Sequence, residues 1–112
     1  MTSTISTHVL DTALGRPAAG VAVALEAQGA AGWAGIDSAS TDADGRVSEI
    51  GPAQAAAGNY RLTFDTGGYF GADGRECFFP EVTVTFTITD PISHYHVPIL
   101  LSPFSVSTYR GS

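Results

Sequence analysis

The sequence has little sulfur and no long apolar run. Its single cysteine, Cys77, excludes a disulfide within one chain. Free thiols persist in reducing compartments, so this composition favours a cytoplasmic location. No apolar stretch approaches the roughly 20 residues needed to cross a bilayer, and no membrane partner is expected. The opening "MTSTISTHVLDTALG" has neither the basic nor the apolar stretch of a signal peptide, so none is predicted.

Positive charge is also scarce. Five basic residues stand against eleven acidic ones, which gives a net charge of −6 at pH 7. A surface of this sign repels phosphate backbones, so no nucleic-acid partner is expected. Only 14% of the residues are charged, while 44% are hydrophobic. Two explanations stay open: many small neutral residues, or a surface that is partly covered in an oligomer.

A length of 112 residues fits one domain, 1–112, which is large enough to bury a core without disulfides. Helical periodicity is missing, and apolar and polar residues alternate with period 2, most clearly in "GVAVALEA", "NYRLTFDT" and "EVTVTFTITD". Weaker strand candidates are residues 5–11, 33–40, 47–50, 94–101 and 104–109. Seven or eight short strands separated by turns predict an all-β fold, an antiparallel sandwich. The stretch "TGGYFGADGREC" is assigned at most one helical turn.

The segment "HYHVPILL" has two distinct faces. Its odd-numbered residues, from Tyr95 to Leu101, form an apolar face that is predicted to lie in the core. Its even-numbered residues then point outward and place Pro98 beside His94 and His96. Proline inside a strand predicts an edge strand or an interrupted ladder. An outward face that mixes apolar residues with histidines is typical of a covered subunit interface, although a one-residue shift in register would reverse the faces.

Four places carry groups suited to acid–base or binding chemistry: His8 in "STHVLD", Arg46 after the "DADG" turn, the pair His94 and His96, and the final "YRGS". Taken singly, each has a structural explanation, because strand histidines are usually packed and arginines after turns are usually solvated. The two paired histidines share a strand face and suit a metal, for which His8 would have to be the third ligand. Metal binding is the less favoured interpretation.

Familiar catalytic signatures are missing from the sequence. There is no nucleophile elbow, phosphate-binding loop, zinc-protease helix or dinucleotide fingerprint. Cys77 lies among aromatic residues and is predicted to be a small packed residue rather than a nucleophile. Trp33 is likewise predicted to be a packing residue.

Taken together, "STHVLDTALGRPA", "TDADGR", "FFPEVTVTF" and "HYHVPILLSPFSVSTYRGS" resemble the 5-hydroxyisourate hydrolases, the transthyretin-like proteins of urate breakdown. The resemblance runs from Thr7 to Ser112, and "YRGS" after "LSP" is its most specific part. Residues 104–106 depart from a family segment that is often richer in tyrosine and glycine. The resemblance implies a transthyretin (prealbumin)-like antiparallel β-sandwich of seven to eight strands with one short helix. It also implies a homotetramer whose active sites lie where dimers meet.

The resemblance also implies roles for particular residues, and it implies no metal or other cofactor. The implied catalytic residues are His8, Arg46, His96 and Ser112. The implied substrate-binding residues are His8, Arg46, Tyr109, Arg110, Gly111 and Ser112. His94 fits the family pattern but receives no role from it.

The implied reaction is hydrolysis of 5-hydroxyisourate to 2-oxo-4-hydroxy-4-carboxy-5-ureidoimidazoline by water attack on a cyclic acyl–nitrogen bond. Of His8 and His96, one would take a proton from the water, and the other would orient it or protonate the leaving nitrogen. Arg46 would hold the heterocycle and stabilise developing negative charge. Tyr109 and the hydroxyl or carboxylate of Ser112 would close the pocket. The alternative is a carrier of small aromatic ligands, as transthyretins are, which has no use for this histidine and arginine set.

Overall fold

The structure is a computed structural model that describes residues 4–112. Within these residues the chain forms nine strands and one helix. In chain order they are β1 (Ile5–Asp11), β2 (Arg16–Pro17), β3 (Ala22–Gly29), β4 (Gly32–Ser40), β5 (Arg46–Ile50), β6 (Gly58–Phe64), α1 (Thr66–Ala72), β7 (Val82–Ile88), β8 (Tyr95–Ser102) and β9 (Ser105–Thr108). The predicted all-β sandwich with one short helix is confirmed. The additional strand is the two-residue β2, in a segment that the sequence marks as a turn.

The strands form two sheets. One has the order β2-β1-β8-β9, with β5 also paired to β1, and the other has the order β4-β3-β6-β7. Every pairing is antiparallel except that of β1 with β8, which run parallel along the whole of β1. Alternation of apolar and polar residues is the same for both strand directions, so the sequence pattern could not reveal this parallel pair.

The core lies between the sheets and follows the predicted alternation. Nearly all inward residues of β3, β6 and β8 are buried, and only Ala27, toward the end of β3, is half-buried against the core. The buried ones are Val23, Leu25, Tyr60, Leu62, Phe64, Tyr95, Val97, Ile99 and Leu101. On β7, an edge strand, Val82, Val84 and Phe86 are only half-buried, and the threonines between them are exposed. Each fully buried apolar side chain contributes about 1.5–3 kcal/mol relative to exposure, so this face holds the sheets together.

Pro98 interrupts a ladder rather than marking an edge. Strand β8 lies between β1 and β9, so it is an inner strand of its sheet. Its regular pairing with β9 ends at Ile99 opposite Thr108. Pro98 has no N–H to donate, but its carbonyl oxygen accepts a hydrogen bond from Thr108 Oγ1 at 2.8 Å. Of the two alternatives that the proline predicts, the structure shows the interrupted ladder.

Cys77 and Trp33 both pack, but neither is fully buried. Cys77 is half-buried against the core, with its Sγ 3.2 Å from the carbonyl oxygen of Phe79. Trp33 lies on β4, where the guanidinium carbon of Arg61 is 4.3 Å from the centre of its ring. Among residues 4–112, no helix is long and apolar enough to cross a membrane.

A buried carboxylate joins β1 to the helical segment. Asp11 is 1% exposed. Its Oδ1 accepts hydrogen bonds from the backbone N–H groups of Ala13 and Leu14, and its Oδ2 accepts from the Tyr69 hydroxyl at 2.8 Å and from Arg75 at 2.6 Å. Burial raises the pKa of Asp11, but the hydrogen bonds from Arg75, Leu14 and Tyr69 outweigh it and hold the pKa below its usual value.

Removing one partner of this pair should destabilise the fold. We expect Arg75→Met to lower the free energy of unfolding by roughly 3 kcal/mol at pH 7, because it leaves a buried carboxylate without its counter-charge. The loss should be complete above pH 4 and should shrink as the pH falls through the lowered pKa of Asp11, where the carboxylate is protonated.

Urea unfolding at several pH values measures this effect. Arg61→Met is the matched control, because Arg61 pairs with Glu26 at 2.7 Å on the sheet surface, where ion pairs contribute little. Equal destabilisation by the two variants would contradict the role given to Asp11.

Candidate active site

The register of three strands assembles one polar patch on the outer face of the first sheet. His8 on β1 lies opposite Arg46 on β5 and opposite Pro98 on β8. One step earlier on the same face, Ser6 lies opposite His96. Directly opposed residues of a sheet point to the same side, so these side chains are neighbours. The structure therefore brings His8, Arg46 and His96 onto one face, although they are far apart in the sequence.

The turn before β5 fixes the position of Arg46. Asp42 Oδ1 accepts hydrogen bonds from the backbone N–H groups of Asp44 and Arg46, both at 2.9 Å. Gly45 has φ +75°, and a side chain there would collide with the carbonyl oxygen of Val9. The Val9 N–H donates to the Gly45 carbonyl oxygen at 2.7 Å. The "DADG" turn thus lies against β1 and delivers Arg46 opposite His8.

His8 is half-buried, and one of its ring nitrogens is already engaged. Its Nε2 is 2.9 Å from the backbone carbonyl oxygen of Asp44. A carbonyl oxygen can only accept, so His8 donates through Nε2. Neutral His8 therefore keeps Nδ1 as its basic nitrogen.

A serine that the sequence analysis did not single out joins His96 on β8 to His94, which lies just before that strand. Ser6 Oγ lies 2.7 Å from His96 Nδ1 and 2.8 Å from His94 Nε2. His96 is thus held through Nδ1, and its Nε2 is the nitrogen left for other contacts. A signal was available in the sequence, since residues two apart on a strand share a face and Ser6 precedes His8 by two.

The environment of His96 opposes its protonation. Burial lowers the pKa of His96, and His8, His94 and Arg46 lower it further, because a positive charge on the ring would lie near other groups that carry or can carry one. His96 is therefore neutral at pH 7, with a lone pair available for proton transfer.

The C-terminal residues continue the sheet past Pro98. The N–H of Gly111 donates to the carbonyl oxygen of His96 at 2.9 Å, and the two residues form an isolated antiparallel bridge. A Cβ atom at Gly111 would lie 2.5 Å from His96 Cδ2 and 3.1 Å from Pro98 Cγ. Only glycine leaves room for the imidazole in its present position.

A cavity of about 280 Å³ opens at the polar patch. Its polar lining consists of Ser6, Thr7, Arg46, Ser48, His94, His96 and Ser112. His8 is not in its wall but stands opposite Arg46 on the next strand. The cavity therefore brings Ser112, at the far end of the chain, to the same place as Arg46 and His96.

Tyr109 and Arg110 lie at a second depression, of about 290 Å³, between the C-terminal residues and β7. The guanidinium carbon of Arg110 is 4.7 Å from the ring centre of Tyr95, an inward-facing residue. Arg110 thus covers the open side of the sandwich and does not join the cluster around His96. Tyr109 is 59% exposed. His96 borders both cavities.

The side chains at this site suit proton transfer and anion stabilisation. Two imidazoles and a guanidinium can move a proton and hold a negative oxygen at the same place. Within residues 4–112, no group of three or more histidine, cysteine, aspartate or glutamate side chains is arranged to hold a metal ion.

Comparison with known proteins gives full-length matches. The model of the HIUase/Transthyretin family matches residues 5–111. The 5-hydroxyisourate hydrolase of Salmonella typhi is 48% identical over 96% of this chain and 80% of its own length. That of Mus musculus is 45% identical over 98% of this chain and 96% of its own length.

Solved structures of similar fold include a 5-hydroxyisourate hydrolase and a transthyretin. Klebsiella pneumoniae 5-hydroxyisourate hydrolase superposes with a TM-score of 0.86 at 41% identity, covering 96% of this chain and 98% of the other. Sea bream transthyretin in complex with thyroxine superposes with a TM-score of 0.88 at 35% identity, covering 96% and 94%. The two TM-scores are nearly equal, so the backbone alone does not distinguish a 5-hydroxyisourate hydrolase from a transthyretin. That distinction has to come from the side chains of the site.

The packing at Gly111 leads to a specific expectation. Gly111→Ala should displace the His96 ring while leaving the fold intact, because the added methyl group occupies the space of the imidazole edge. Nuclear magnetic resonance of the imidazole protons and nitrogens should show a large change at His96. Gly71→Ala is the control, since nothing lies within 4 Å of a Cβ there. An unchanged His96 spectrum in Gly111→Ala would contradict this packing.

Proposed function

This chain belongs to the HIUase/Transthyretin family, and on that premise we propose that it hydrolyses 5-hydroxyisourate to 2-oxo-4-hydroxy-4-carboxy-5-ureidoimidazoline in urate breakdown. The observation that carries the proposal is the convergence of His8, Arg46 and His96 on one sheet face. Residues 1–112 form one hydrolase domain in this proposal.

The reaction begins with the attack of water on a carbonyl carbon of the heterocycle. His96 takes the water proton through Nε2, because its Nδ1 is held by Ser6 and its pKa is lowered. The addition places negative charge on the carbonyl oxygen, and the Arg46 guanidinium stabilises that charge. The carbon–nitrogen bond then breaks, and a protonated histidine supplies the proton that the leaving nitrogen needs. The scheme uses no metal or other cofactor.

His8 and the C-terminal residues complete the site. His8, which stands opposite Arg46 and donates to the Asp44 carbonyl oxygen, orients the substrate or the water through its other nitrogen. Ser112 lines the cavity beside His96 and contacts the bound heterocycle. Tyr109 closes the pocket from the edge of the sheet. Gly111 acts by making room for His96, and Arg110 by holding this segment against Tyr95.

We further propose that the active protein is a cytoplasmic homotetramer with sites between subunits. Two features support assembly: β7 and β9 are edge strands with unpaired backbone groups, and the cavity at His96 lies on an outer sheet face. The same face carries two apolar residues, Pro98 and Leu100. A second subunit facing it would enclose the substrate and exclude water.

The decisive assay generates 5-hydroxyisourate from urate and follows its decay spectroscopically. We expect the protein to accelerate the decay, and His8→Ala or His96→Ala to reduce turnover by about 10²–10⁴-fold, the usual contribution of general acid–base catalysis. Ser38→Ala, at an exposed position of β4 in the other sheet, is the control and should behave as the original chain. An inactive original chain that binds thyroxine in the same preparation would favour a carrier instead.

Deletion of residues 110–112 tests the C-terminal segment. We expect the shortened chain to fold and assemble but to hydrolyse poorly, since it loses Ser112 and the bridge from Gly111 to His96. Sedimentation measures the assembly, and the decay assay measures turnover. Undiminished turnover would show that these residues are dispensable.

A further inference from the structure

Ser6 links His96 to His94 through a single hydroxyl group. Its oxygen is within hydrogen-bond distance of both rings, at 2.7 Å from His96 Nδ1 and 2.8 Å from His94 Nε2. A serine hydroxyl carries one proton, so it can donate to only one of the two nitrogens and must accept from the other. The states of the two rings are therefore coupled.

Two arrangements of this chain are possible. In the first, His96 donates from Nδ1 to Ser6, Ser6 donates to His94 Nε2, and His96 Nε2 is free to act as a base. In the second, His94 donates from Nε2 to Ser6, Ser6 donates to His96 Nδ1, and the proton of neutral His96 lies on Nε2. Protonated His94 has no acceptor at Nε2, so it permits only the second arrangement.

The proposed reaction places a positive charge on His96 for part of each turnover. His96 holds the water proton from the attack until the leaving nitrogen takes it, and burial together with the neighbouring groups opposes that charge. Of the two histidines that Ser6 contacts, His94 is exposed and His96 is half-buried, so a positive charge is better hydrated on His94 than on His96.

We propose that Ser6 and His94 form a proton relay that holds His96 with Nε2 free and then shares the charge of the proton that Nε2 takes. After Nε2 has taken a proton, His96 gives its Nδ1 proton to Ser6 Oγ as Ser6 gives its hydroxyl proton to His94 Nε2, so His94 carries the charge while the addition product exists. When the carbon–nitrogen bond breaks, His96 gives its Nε2 proton to the leaving nitrogen and both transfers reverse, which returns His96 to its neutral form with Nε2 free. This inference rests on the proposed function, because it assigns the base to His96.

The charged groups around His96 favour this direction of transfer. Those that face it are His8 on β1, Arg46 on β5, His94 immediately before β8, and Ser112 of the C-terminal segment. His8 and Arg46 both disfavour a proton on His96.

The ring protons can be read directly and without substrate. Nitrogen-15 resonance of the histidine rings at pH 8 should place the His96 proton on Nδ1 in the original chain. Ser6→Thr keeps the hydroxyl and should keep this tautomer, whereas Ser6→Ala should move the proton largely to Nε2. His94→Gln retains an acceptor for the Ser6 hydroxyl and should also keep the Nδ1 tautomer. A His96 tautomer that is unchanged in Ser6→Ala would overturn the inference.

Turnover then tests the relay itself. Ser6→Ala should lower kcat about five- to tenfold, as the competent fraction of His96 falls. His94→Gln keeps that fraction but cannot take the Ser6 proton, so it should also lower kcat, by about five- to tenfold. Ser6→Thr should retain most of the turnover. A His94→Gln variant that keeps both the Nδ1 tautomer and the original kcat would refute the relay.

The two proposals fail in different ways. If the original chain does not hydrolyse 5-hydroxyisourate, the proposed function fails and the proton transfer fails with it, while the tautomer measurement still decides the coupling through Ser6. If the original chain is active, and neither the tautomer change in Ser6→Ala nor the loss of kcat in His94→Gln is seen, the function stands and the relay is refuted.

Discussion

The parallel pairing of β1 with β8 is the constraint on which the site depends. It sets Ser6 opposite His96 and His8 opposite Pro98, and both strands turn the same parity of residues outward. A shift of one residue would send the histidines into the core and the apolar residues to the surface. The buried residues of β1 and β8 prevent that shift, because they fill the space between the two sheets. The same strand register is therefore required both for the packing of the core and for the geometry of the site.

Departures from regular sheet structure are placed where the site needs them. Pro98 breaks the ladder with β9, yet the chain returns to β8 at Gly111 in the same register. The missing side chain of Gly111 gives His96 its space. On the other edge, the positive φ of Gly45 allows the turn to lie against β1 and bring Arg46 to His8. Proline and glycine here shape a pocket on a sheet whose outer surface would otherwise be flat.

Much of the fold could be predicted from the sequence, because the alternation of apolar and polar residues along a strand reflects which side chains are buried. It identified the inner faces of β3, β6 and β8, and it located the half-buried apolar face of β7. It could not give the parallel direction of β1 and β8, since side-chain alternation is the same in both directions. It also missed β2, which is two residues long and too short for any pattern.

The site was less accessible to sequence reasoning. His8, Arg46, His96 and the C-terminal residues could be singled out by their chemistry, but only the resemblance to a family joined them in one site, because nothing local indicates that distant strands meet. Ser6 was missed although its parity matches that of His8. The alternation of β9, extended past Thr108, places Tyr109 and Gly111 on the outer face and Arg110 on the inner one, and this agrees with the position of Arg110 over Tyr95.

The hydrogen bond between Thr7 and the carbonyl oxygen of Val97 joins residues 90 positions apart, beside the same pocket. Contacts of such separation form late in folding, because a long loop must close first. The pocket therefore forms only after β1, β5, β8 and residue 112 have all been synthesised, and it appears when β8 pairs with β1.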